Sequence, residues 1–208
     1  MLLKTYYCLY FKLYLYKIKV CLYIDLKSIE KGLFYYLKGL NMATYIKILN
    51  NNDTKVFASP PQFNGVERKQ FFSLPNWVSH LVLSFRTPTN QIGFVLQLGY
   101  FKAVGRFFAA WKFHQKDIDF IVRRLDFQSN TIDFSKYTRT TFERHQQLIL
   151  LNVGIQKFDL KAKALLMGEA QNLCFKQIKP RLMFMSLVNF LRAQKIEIPS
   201  YHTFEAII

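Results

Sequence analysis

Acidic residues are scarce in this chain: 13 Asp and Glu stand against 29 Lys and Arg in 208 residues, for a formal net charge of +16 at pH 7. Such an imbalance points to an anionic partner, either nucleic acid or an anionic membrane surface. Cysteine is equally sparse. Cys8, Cys21 and Cys174 are odd in number and form no C-x-x-C pair, which argues against a disulfide framework or a thiolate zinc site and fits a reducing cytosol. His80, His114, His145 and His202 share no H-x-x-x-H or H-E-x-x-H spacing that would set two ligands on one helix face. No phosphate-cradling glycine loop and no nucleophile–base pair stands in the sequence, so no catalytic, metal or cofactor residue and no small-molecule substrate is expected. Long apolar runs are missing too. Lysines interrupt the first 41 residues, far short of the ~20 apolar residues a membrane helix needs and unlike the apolar region of a signal peptide.

What the chain does have is apolar mass. Hydrophobic residues make up 51%, with 21 Phe and 12 Tyr, so the chain can offset the entropy of ordering and is not a disordered tail. Its length supports one sizeable core or two small ones. Three regions are expected: an atypical extension over 1–41, a first helical subdomain over 42–128 and a second over 129–208. The extension holds seven Lys, no Arg, and only Asp25 and Glu30 as acids. It reads either as translation of A/T-rich upstream DNA before a true start at Met42, or as a basic amphipathic helix lying on a membrane.

From Met42 to Ser59 the composition is polar and turn-rich, with Asn50 to Asp53 and then Pro60-Pro61, and reads as a loop or weak element. Glu67 to Phe72 is compatible with a short helix or strand. After Leu74-Pro75-Asn76, the spacing of Trp77, Val78, Leu81, Val82 and Phe85 predicts a helix. Pro88 and Thr89 break it, Thr89 or Asn90 caps the next, and Ile92, Val95, Leu96 and Gly99 form its stripe. A helix over Gln115 to Leu125 follows the turn at Gly105 and Arg106, burying Ile118, Ile121, Val122 and Leu125. Further helices are predicted over Thr140 to Val153, Leu160 to Leu173 and Arg181 to Gln194, with another starting at Thr203. The order of short helix, glycine-containing connection and basic-flanked helix is that of a helix-turn-helix, so the fold class is all-α, with helix-turn-helix-like subdomains. His145 is read as a packing residue, and Phe101, Phe107, Phe108, Trp111 and Phe113 as core. Asp117, Asp119, Asp126 and Asp133 are read as helix-start or surface charges.

Several blocks, in order, resemble one family. Phe57, Pro61, Arg68 and Phe71-Phe72-Ser73-Leu74 open the series, followed by NQIGFVLQLGYFKAVGRF at 90–107. Ile118 to Leu125, then Tyr137, Arg139, Thr141 and His145, then Gly154 to Phe158, and finally Leu191-Arg192 with Ile196 to Pro199 complete it. Over about residues 57–208 these are similar to the amino-terminal domain of Tn-three family replicative transposases. Gln91 and Arg124 depart from the usual Arg and Gln, and the spacing from Tyr137 to Arg139 is one residue shorter than the family run. The resemblance implies double-stranded DNA as partner, at the transposon's terminal inverted repeats, with intact transposase subunits as further partners. It also implies that the metal-dependent DDE catalytic domain lies beyond residue 208, so this chain is not expected to be an enzyme by itself.

A helical module of this kind reads duplex DNA with one helix in the major groove, while Arg, Lys and helix amino termini hold phosphates. The residues expected to do so are Arg106, Arg123, Arg124, Lys136, Arg139 and Arg144. Arg weighs most, because its planar fork pairs bidentately with guanine or phosphate. For Arg106 a structural helix-end role stands beside a phosphate contact. The alternative for the whole chain is a non-catalytic remnant or protein-interaction module without specific DNA binding.

Overall fold

Residues 47–128, 132–176 and 178–208 are described by the structure, a computed structural model. The readings of residues 1–41 lie outside them. Ile46–Ile208 form one compact unit. Among the described residues it is all-α, as expected: nine α-helices, two short 3-10 turns and a single isolated bridge between Gln156 and Ile196. No helix among them is long and apolar enough to cross a membrane.

The polar run read as a loop or weak element holds a short helix. Asn50 caps α1 (Asn51–Ala58), its Oδ1 accepting from the Asp53 amide at 2.7 Å. Turn-forming Asn and Asp are also the preferred helix caps, so the same composition carries both meanings. Asn64 and Glu67 form a reciprocal capping box on α2 (Gly65–Phe71). Next come α3 (Asn76–Ser84) and α4 (Pro88–Val104). The cap of α4 is Thr87, not Thr89 or Asn90, and Pro88 opens the helix rather than breaking it. A proline lacks only an N–H that the first turn would leave unpaired.

Helix α4 is the axle of the larger core. A stripe would bury one side, but every residue from Ile92 to Phe101 is buried. Helices α2, α3, α5 (Gln115–Arg124) and α6 (Arg139–Val153) all pack on it. Two of its glycines make this approach possible: a Cβ at Gly93 would stand 2.5 Å from the Tyr137 ring and one at Gly99 2.2 Å from the Phe72 ring. The helix ends at Gly105, whose φ of 72° is left-handed. The connection from there to α5 covers residues 105–114, against the three or four residues of a helix-turn-helix turn. Gln97, fully buried, secures that connection by donating to the Phe108 carbonyl at 2.7 Å.

Asp117 stands in the first turn of α5, as one of its two readings expects, but it is not a surface charge. It is fully buried, receiving Arg68 Nε at 2.6 Å and the Tyr100 hydroxyl at 2.8 Å. Burial, reinforced by the Asp117 charge, pushes the Tyr100 phenol above its ordinary value and keeps it a donor. One carboxylate thereby ties α2, α4 and α5 together.

A second cluster combines Ile48, Leu49 and Phe57 with α7 (Leu160–Phe175), α8 (Pro180–Ala193) and α9 (Tyr201–Glu205). Phe57 meets Phe184 and Phe204 edge-on at 5.0 and 6.1 Å, and Leu49 N donates to the Tyr201 hydroxyl at 3.4 Å. The first cluster draws on residues 63–155. The two are joined by Ile198 N donating to Gly105 O at 3.1 Å and by the Gln156–Ile196 bridge.

Gly99→Ala is expected to lower stability by about 1–3 kcal/mol, because the added Cβ would stand 2.2 Å from the buried Phe72 ring, which must shift. Urea denaturation reads this directly, and unchanged stability would mean that the rings pack otherwise. In the same assay Asp117→Asn is expected at the lower end of the roughly 3–5 kcal/mol typical of a broken buried pair, since the Arg68 side chain keeps 18% exposure.

Candidate nucleic-acid interface

The amino-terminal end of α6 is held from beneath. Thr138 caps the helix, its Oγ1 accepting from Thr141 N at 3.2 Å, and the short turn Phe134–Lys136 leads into it. Tyr137, between turn and cap, points inward onto Gly93. Its hydroxyl shares a 2.7 Å hydrogen bond with Nδ1 of His145, two turns along the helix. His145 is 1% exposed, with its ring 4.6 Å from Phe85 and 5.3 Å from Phe94. Burial, with a contribution from the Arg144 charge, pulls the imidazole down to about 4, so it is neutral at pH 7. His145 packs in the core as expected, but two turns into α6 rather than at a helix start, and not as a surface or capping histidine.

On this base the segment 136–144 carries exposed polar and basic groups. Lys136 is exposed beside Asp133 at 3.5 Å. Two hydrogen bonds from Ser135, side chain and backbone, hold the Asp133 carboxyl below its ordinary value. Arg139 lies in the first turn of α6, with Nε 2.8 Å from Glu143 Oε1. Its side chain is 90% exposed, and such a surface pair contributes little, so the guanidinium is free to exchange partners. Arg144, five residues on, points to a different side of α6, where its guanidinium stands 5.8 Å from the Phe85 ring. Arg123 and Arg124 are exposed in the last turn of α5, Arg123 Nε donating to Asp119 O at 3.2 Å.

Lys136 and Arg139 therefore flank one helix start. Arg144 shares their helix on another side, and the α5 pair belongs to a separate helix end. Arg106 departs from the expected surface position. It is 7% exposed, its guanidinium carbon 3.7 Å from the Phe57 ring centre and 5.0 Å from that of Phe108. Its Nη1 has no hydrogen-bond partner, and burial lowers its pKa to about 10. A guanidinium enclosed by rings where the two clusters meet is not placed to touch a phosphate. Trp111, read as core, is 81% exposed, whereas Phe108 and Phe113 are buried as expected. An exposed cation outside the expected set is Arg86, which follows the buried Phe85 in the chain.

Among the described residues no group of three His, Cys, Asp or Glu is placed to hold a metal. Residues 48–208 match the family model described as a domain of unknown function, DUF4158. The chain belongs to the DUF4158 family. No curated protein matches the sequence. The matched span covers both clusters, so the capped start of α6 and the α1–α9 pairing both lie within the DUF4158 domain.

The neutral His145 makes stability pH-dependent with a definite sign. Its folded pKa lies below the unfolded value, so its stabilising contribution is complete above pH 6.5 and lost as pH falls towards 4. The loss is on the order of 3 kcal/mol. Urea midpoints measured from pH 7 to pH 4 should fall more steeply for the natural chain than for His145→Gln, and parallel curves would contradict a buried neutral imidazole.

Proposed function

We propose that this chain binds double-stranded DNA as the end-recognition module of a Tn-three type transposase, with the start of α6 as its principal contact. The observation that carries this reading is the α6 start itself: exposed Lys136 and Arg139 beside Thr138 and Thr140, on a backbone fixed by the buried Tyr137–His145 bond. Unpaired amides of a helix start favour phosphate, and Arg, Lys and Thr are the side chains that hold phosphate in register. The ordered blocks over about residues 57–208 that resemble the amino-terminal domain of Tn-three family transposases support the same reading. Arg144 extends the basic surface on another side of α6, and Arg123 and Arg124 supply a second basic helix end. In this reading the buried Arg106 has no DNA contact. The chemistry of transposition belongs to another part of the transposase, and the chain needs no cofactor of its own.

Fluorescence anisotropy with a duplex carrying the element's terminal inverted repeat, beside a scrambled duplex of equal length, tests the proposal. Tighter binding to the repeat and a steep fall with salt are expected. Arg139→Ala should weaken binding and reduce the slope of log K against log salt by about 0.9 for the phosphate contact removed. Equal affinity for both duplexes, with Arg139→Ala unchanged, would reduce the interaction to general basic charge and reject the proposal.

A further inference from the structure

Helix α7 is apolar on more than the side it buries. Ala162, Leu166, Ala170 and Leu173 pack into the second cluster, where α8 lies against them. A second stripe faces outward, with Leu165 55% and Phe175 74% exposed. Ala164, Leu165 and Gly168 line an open groove together with Phe190 of α8, flanked by Lys161 and Glu169. Helices that are apolar on several sides are normally covered on several sides.

Gly168 sharpens this. A Cβ added there meets nothing within 4 Å, so nothing in the described fold requires glycine. Yet a mid-helix glycine destabilises the helix relative to alanine. What glycine provides at such a position is close approach of another backbone, here beside the equally small Ala164. The partner that fits is identified by charge. Lys161 stands four residues before Leu165 and Glu169 four residues after it, each about 6 Å along the helix from that centre. Among the described residues neither forms an ion pair, and Glu169 accepts a long hydrogen bond from Asn172 at 3.4 Å.

We infer that two copies of this chain pair through antiparallel α7 helices about Leu165, each Lys161 level with Glu169 of the second copy. Parallel pairing would instead set lysine beside lysine. The surface is self-complementary, as a two-fold interface must be. Its one-helix width sets it among small, reversible interfaces rather than permanent ones.

Sedimentation velocity of the full chain over a range of concentrations tests the pairing independently of DNA. A concentration-dependent rise towards twice the monomer mass is expected. Leu165→Glu should leave only monomer, while circular dichroism confirms that this exposed substitution preserves the helices. Lys161→Glu and Glu169→Lys should each weaken association several-fold, and the two combined in one chain should restore it. A monomer at every concentration, or a dimer indifferent to Leu165→Glu, would overturn the proposal. So would a double variant no better than the single ones.

Discussion

Burying a helix on every side leaves no room for error in what touches it, and α4 imposes that condition on the rest of the larger core. At Gly93 and Gly99 its own side chains are absent, and there whole aromatic rings, of Tyr137 and Phe72, fill the space. Each ring then carries a further duty. Phe72 closes α2 against α4, and Tyr137 both seats on Gly93 and bonds His145. The polar groups drawn into this core are satisfied by one another: Gln97 by the Phe108 backbone, Asp117 by Arg68 and Tyr100, His145 by Tyr137. Unpaired, each would oppose the fold; paired, they select one arrangement of helices around α4.

The candidate interface inherits its rigidity from that core. The start of α6 is exposed, but its position is set by the buried ring beneath it, one residue before the cap. A cation on a floating loop loses more freedom on binding than one on a fixed helix end. Arg106 shows the opposite use of the same residue type. Its guanidinium is kept from water by Phe57 and Phe108, bridging the two clusters through its flat faces rather than through an ion pair.

Much of this was legible in the sequence. Helical spacing located α3 and α5 to α8, because apolar periodicity reports burial directly. Helix starts were less legible where one residue type has two uses: Asn50 marks a cap as well as a turn, and Pro88 opens a helix as well as breaking one. All-round burial of α4 was beyond a stripe argument, which presumes one wet side. The charged residues were hardest. Asp117 and Arg106 read as surface from their chemistry, and only partners 49 and 49 residues away in the chain, Arg68 and Phe57, draw them inside. Of the candidate site, Lys136 and Arg139 are local and therefore visible, whereas the Tyr137–His145 bond that fixes them depends on tertiary packing around Gly93.

The union of Phe57 with Phe184 and Phe204 places a demand on biosynthesis. The larger cluster is complete once residue 155 is available, so it can form while the remainder is still being made. Helix α1 cannot settle then, because its partners lie more than a hundred residues downstream. Its apolar side stays wet until α9 has emerged, and the closure must bring together segments far apart in the described chain. The last contacts to form are thus the ones that enclose Phe57, and with it the guanidinium of Arg106. A nascent chain interrupted before Phe204 would hold a finished larger core and an open seam, the state in which chaperone capture or aggregation has its best opportunity.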